Sequence, residues 1–122
     1  MKESPLFSKT YDLTRWLLEH TAKFPRHQRS VLGRHIEEAV LGINDQLLLA
    51  VKNASGRATA QMLASYGLER LKLYMRLSLD LHICSIPQYE FASRQIVEVG
   101  NLLGGWIKKS NAGNRDIKQE IV

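Results

Sequence analysis

Apolar residues recur along this chain at steps of three and four, with no one-by-one alternation of the kind a strand needs. Leu32, Ile36, Ala39, Val40, Ile43, Leu47, Ala50 and Val51 share one side of a helix. Tyr89, Ala92, Ile96, Val99, Leu103 and Trp106 share one side of another. Proline and glycine divide the pattern. Phe24-Pro25, Asn53-Ala54-Ser55-Gly56 and Ser85-Ile86-Pro87 read as breaks, because a residue before proline avoids helical geometry and Asn/Ser/Gly clusters make turns. The segments between them predict helices over about 8–22, 26–53, 57–83 and 85–110. Short connections make sequential neighbours antiparallel, so the expected architecture is all-α: an up-down four-helix bundle over residues 1–110. Asn111-Ala112-Gly113-Asn114 reads as a stop, leaving 111–122 as a flexible C-terminal tail.

The third helix breaks the amphipathic rule. Gln61, Ser65, Glu69, Lys72, Arg76 and Asp80 form one narrow polar stripe, and almost everything else on it is apolar. A helix in a four-helix monomer needs an apolar face of only about 100–150°. The surplus predicts an oligomer interface, for which Leu68, Tyr74, Met75 and Leu79 are the expected residues. Gly100, Gly104 and Gly105 interrupt the fourth helix, each at roughly 1 kcal/mol relative to alanine. Gly100 and Gly104 share a face, so a second backbone could approach there, from the same bundle or from another subunit.

Charge adds a direction to this scaffold. The chain of 122 residues carries a formal net charge of +5. Most of the excess lies within 23–35, where Lys23, Arg26, Arg29 and Arg34 meet no acid and His27 and His35 stand among them. Arg26, His27 and Arg29 fall at the start of the second helix, where the macrodipole ordinarily favours acids. Cations there, with free backbone N–H groups, suit a phosphate. The alternative is pairing with acids such as Glu37 or Glu90. Lys72 and Arg76 offer a second pair, with Glu69 and Asp80 as their bland partners at helical spacing.

Reactive chemistry is not legible. The chain has no phosphate-cradling glycine loop, no CxxC and no HExxH. Di-iron bundles need paired Glu-x-x-His motifs, and His35 with Glu38 gives only one reversed match. The expectation is therefore a protein without catalytic residues, metal or cofactor. The lone Cys84, the short apolar runs and an N-terminus without a secretory signal point to the cytosol and away from membranes.

Several runs resemble a known family. Phe24-Pro25-Arg26-His27-Gln28-Arg29-Ser30-Val31-Leu32-Gly33 is similar to a signature of the accessory variability determinant proteins of diversity-generating retroelements. So are Phe7-Ser8-Lys9-Thr10-Tyr11-Asp12, Tyr89-Glu90-Phe91-Ala92-Ser93 and the stretch from Val97 to Lys108 with its Leu-Gly-Gly-Trp-Ile-Lys ending. The resemblance covers roughly 6–109. A sister group, the four-helix proteins encoded within intervening sequences of bacterial large-subunit ribosomal RNA genes, shares the fold. The resemblance implies a ring-shaped pentamer with a positive surface, bound to the retroelement's reverse transcriptase and to its RNA or DNA. It implies a non-enzymatic accessory role in mutagenic cDNA synthesis, the polymerase site lying in the partner. It also carries Lys72 and Arg76 over as binding groups, on the run from Leu71 to Leu77; lysine stands at 72 where arginine is common. The competing readings are a stand-alone RNA-binding protein of the ribosomal type and a protein scaffold.

Overall fold

The computed structural model describes residues 4–121, with side chains described for 4–113. Four helices follow one another: α1 (Pro5–Thr21), α2 (26–52), α3 (Arg57–Asp80) and α4 (Ile86–Ile121). Among the described residues there is no strand. α2 is continuous but not uniform. It starts as an α-turn at Arg26–Gln28, widens into a π-helical turn at Arg29–Gly33, and runs on as α-helix through Arg34–Lys52. The helices pack in square order, α1 on α2 and α4, and α3 on α2 and α4, with α2–α3 the most extensive contact.

Local chemistry explains the boundaries. Ser4 caps α1, accepting from the Phe7 N–H, with Pro5 in the first turn, where its missing N–H costs nothing. α1 therefore begins three residues earlier than the apolar pattern suggests. α3 ends at Asp80, short of the expected 83. Ile83 N–H reaches the Ser78 carbonyl and His82 N–H the Leu79 carbonyl, so the chain leaves the helix in a Schellman turn. His82 takes the left-handed position of that turn at φ 59°, where glycine is usual. A reciprocal cap opens α4: Ser85 Oγ accepts from Gln88 N–H, and Gln88 Oε1 accepts from Ser85 N–H. α4 does not stop at 111–114. It already spans about seven turns at that point, so continuing requires no new nucleation and one glycine is tolerated.

The core follows the predicted seams of α2 and α4. Ile36, Val40, Ile43 and Leu47 from α2 meet Ala92, Ile96, Val99 and Leu103 from α4, closed by Leu13 and Leu17 of α1. On α3 the buried side is Ala60, Ala64, Leu68, Leu71 and Met75. Two expected interface residues, Leu68 and Met75, therefore lie inside the subunit, because the small residues at 60, 64 and 67 set the phase of α3 against α2. Gln61, read from the sequence as part of the polar stripe, is also buried and donates to Ser110 Oγ on α4. Within the subunit the close approach is made at Gly67 rather than at Gly100 or Gly104. A Cβ on Gly67 would lie 2.6 Å from Ile43 Cγ1, whereas one on Gly104 would meet nothing within 4 Å.

Polar contacts fix α1 against α2. Thr21 Oγ1 donates to Glu37 Oε2 at 2.6 Å, and Asn44 Nδ2 donates to Thr14 Oγ1 at 2.8 Å. Among the described residues two buried side-chain atoms lack such a partner, His20 Nε2 and Gln46 Oε1. His20 stacks on Trp16 with ring centroids 4.6 Å apart, meets Phe24 edge-on, and leaves Nε2 without a hydrogen bond. Burial first, and the charge of Lys23 second, hold its pKa below the ordinary 6.5. The unfolded chain then binds the proton more readily than the folded one, so stability falls as pH drops through about 6.5. Thermal melts between about pH 7.5 and 5.5 should show a falling midpoint, and His20→Phe should flatten that fall. An equal fall in the variant would remove His20 as its source.

Candidate nucleic-acid interface

Antiparallel packing brings the starts of α2 and α4 to one end of the bundle, together with the ends of α1 and α3. Neither α2 nor α4 carries an acid in its first turn, so both positive helix ends are uncompensated there. Arg26, His27, Arg29 and Ser30 line an open depression of about 620 Å³ at this end. All four are exposed. The π-helical turn starts at Arg29 and changes the helical phase beneath the cluster. Arg29 is steadied by donating Nη1 to the Ala22 carbonyl at 3.3 Å, and Ser30 Oγ donates to the His27 carbonyl at 3.2 Å. Among the described residues, no carboxylate lies within ion-pair distance of Arg26, His27 or Arg29. Glu37, weighed from the sequence as their partner, is taken by Thr21 instead.

The other sequence-predicted cations are held differently. Arg34 pairs with Glu38, Lys72 with Glu69 and Arg76 with Asp80, each within its own helix at 3.0–3.2 Å. The hydrogen bond to Asp80 raises the Arg76 pKa further. These pairs are exposed, so they are weak and exchangeable, but each cation already has a local partner. Lys72 and Arg76 do not join the cluster on α2; Lys72 lines a separate groove between α3 and α4 with Ser65, Glu69 and Asn101.

Of the four residues expected at an oligomer interface, Tyr74 and Leu79 are partly exposed and packed against the core, while Leu68 and Met75 are inside it. The surplus apolar surface is carried by other α3 residues: Met62, Tyr66 and Leu73 are 57–62% exposed, with Leu63, Leu77 and Leu81 beside them. Amid this stripe the guanidinium of Arg70 lies 5.5 Å from the centre of the Tyr74 ring and reaches its hydroxyl at 3.4 Å, while His35 meets the same ring edge-on. Sequence reasoning passed over Arg70. Its signal was a single cation whose helical neighbours at four before and three and four after are Tyr66, Leu73 and Tyr74.

Cys84 is buried, and burial pushes its thiol pKa up, away from the reactive thiolate. Among the described residues no group of three His, Cys, Asp or Glu could hold a metal ion. Among them, too, no helix is long and apolar enough to cross a membrane. A family model described as bAvd-like matches residues 6–110, which takes in part or all of each of the four helices. No curated protein matches the chain.

Proposed function

The chain belongs to the bAvd-like family, and from that premise we propose that it is a non-enzymatic accessory subunit of a diversity-generating retroelement. It binds template RNA or cDNA through its basic end, associates with the reverse transcriptase, and supports mutagenic synthesis without a polymerase site of its own. The observation that carries this reading is the cluster of Arg26, His27 and Arg29 at the start of α2, free of carboxylates and gathered around one open depression. Cations at a helix N-terminus oppose the macrodipole, so the bundle gains nothing from them in isolation. A phosphate backbone offsets that cost by contacting the side chains and the uncompensated helix end together. Arg34, Lys72 and Arg76 serve as a secondary set, since each leaves an exposed carboxylate to reach phosphate.

The same reading makes the working object a ring of subunits, a pentamer by family resemblance. The exposed apolar stripe on α3 supports it, because a soluble monomer rarely leaves such a surface uncovered. In a ring the basic end is repeated once per subunit, so individually weak phosphate contacts sum on one long polyanion. Binding of a structured RNA and of single-stranded DNA, measured against salt, tests the proposal. The logarithm of affinity should fall linearly with the logarithm of salt concentration, with little dependence on base sequence. No binding at about 50 mM salt would leave the chain a protein scaffold. Co-purification with the polymerase encoded beside it tests the partnership separately.

A further inference from the structure

The stripe on α3 is not uniformly apolar, and the exception identifies what covers it. Arg70 is half-buried and flanked at four before, three after and seven after by Tyr66, Leu73 and Leu77, all exposed. Its guanidinium meets the ring and hydroxyl of Tyr74. Among the described residues it has no carboxylate partner, unlike Lys72 and Arg76 on the same helix. A surface that closes over this stripe removes water from the guanidinium, and an unpaired charge there would oppose the contact. The covering surface therefore brings a carboxylate into an apolar field of its own.

The subunit itself carries one such surface. Asp45 on α2 is exposed and has no ion-pair partner among the described residues. Its helical neighbours at four before, three after and four after are Leu41, Leu48 and Leu49, each 46–58% exposed. Among the described residues two other exposed acids, Asp12 and Glu90, also lack an ion pair, but each is flanked by basic and hydroxyl groups: Asp12 has Ser8, Lys9 and Arg15 around it, and Glu90, with exposed Ile86 four before it, has Ser93 and Arg94 after it. Asp45 is thus the acid whose setting mirrors that of Arg70, one charge amid leucines against the opposite charge amid leucines and tyrosines.

We propose that Arg70 of one subunit pairs with Asp45 of the next copy, with the α3 stripe seated on the α2 leucines. This rests on the ring reading above and adds which surfaces meet. The two patches differ, so the contact is head-to-tail, the kind that closes into a ring when the rotation between copies allows. Each subunit gives its arginine to one neighbour and its aspartate to the other, and both charges are paired only when both neighbours are present.

Sedimentation of the full chain across concentration tests the pairing. Arg70→Asp and Asp45→Arg, made singly, should each raise the concentration for half-assembly about 100-fold, as expected for breaking a desolvated pair. The double exchange should return it to within about tenfold of the parent. Unchanged assembly in either single variant overturns the pairing, and so does a double variant as dissociated as the singles. Should charge reversal prevent folding, Arg70→Cys combined with Asp45→Cys reads the same contact through a short bis-maleimide, which spans the gap the arginine side chain fills and which a disulfide would not. The cross-linker should yield a ladder of covalent multimers, and a chain that stays monomeric in its presence overturns the proposal. A parent chain that sediments as a monomer removes the ring reading itself, which separates that failure from the failure of the pair.

Discussion

Gly67→Val is expected to destabilise the bundle by about 3 kcal/mol, the upper part of the range for overpacked cores. Gly67 is where α3 comes closest to α2. A Cβ there would lie 2.6 Å from Ile43 Cγ1, and 3.5 Å from the Ala39 carbonyl. Ile43 cannot swing away, because it is itself 1% exposed and Cγ1 is near the base of its side chain. The helices must separate, and α2–α3 is the most extensive contact in the fold. Valine adds two methyls to this clash, and its helix propensity exceeds that of glycine by only about 0.3 kcal/mol. Gly104→Ala provides the contrast. Its Cβ meets open space, so removing the backbone entropy of glycine should stabilise by about 0.5–1 kcal/mol. Thermal or urea melts check both. At this chain length 1 kcal/mol corresponds to roughly 4 °C, so the midpoints should differ by more than about 10 °C. Equal midpoints would mean that the helices do not meet at Gly67.

That contrast also shows what the sequence could and could not convey. Helices with one apolar side announce their phase: the three-four spacing from Leu32 to Ala50 and from Ala92 to Leu103 places residues that are in fact buried. α3 has apolar residues on nearly every side, so its phase cannot be taken from hydrophobicity. It is set by small residues, Ala60, Ala64 and Gly67, whose value lies in what they leave out. Leu68 and Met75 were accordingly expected outside and lie inside, while Met62, Tyr66 and Leu73 form the exposed stripe. A glycine reads alike whether it is needed or tolerated, so Gly100 and Gly104 looked like contact points, and Gly67 did not. The π-helical turn at Arg29–Gly33 has no compositional mark, because one extra residue per turn is a matter of backbone hydrogen bonding.

Charge was legible in amount but only partly in use. The excess at 23–35 was visible at once, and the fold keeps Arg26, His27 and Arg29 together at one end. For Lys72 and Arg76 the plainer of two sequence readings holds at short range, each cation meeting an acid three or four residues away, and Arg34 meets Glu38 in the same way. Spacing alone could not separate these cases, since whether Glu37 is available depends on Thr21 of a different helix. Asp45 and Arg70 were missed for a related reason: a lone charge among leucines is informative only once those leucines are known to be exposed.

The double substitution Arg26→Glu and Arg29→Glu should therefore lower nucleic-acid affinity far more than any other pair of changes. Each subunit loses two cations and gains two anions at the mouth of one depression, a local change of four charges. At about 50 mM salt the expected loss is more than about 100-fold, and the salt slope should shrink by about two for each subunit that touches the strand. The fold should persist. Both side chains are exposed, and the one hydrogen bond lost is from Arg29 to the Ala22 carbonyl. Removing like charge from the start of α2 even favours the helix through its dipole. Lys72→Ala with Arg76→Ala should cost less than about tenfold, since Glu69 and Asp80 already hold those cations and the change is two charges rather than four. Circular dichroism establishes that the helices remain, and a filter-binding or anisotropy titration over salt gives the affinities. Equal losses in the two double variants would mean that the protein binds as a diffuse positive body. A selective loss at 26 and 29 ties recognition to the end of the bundle where the fold leaves cations without acids.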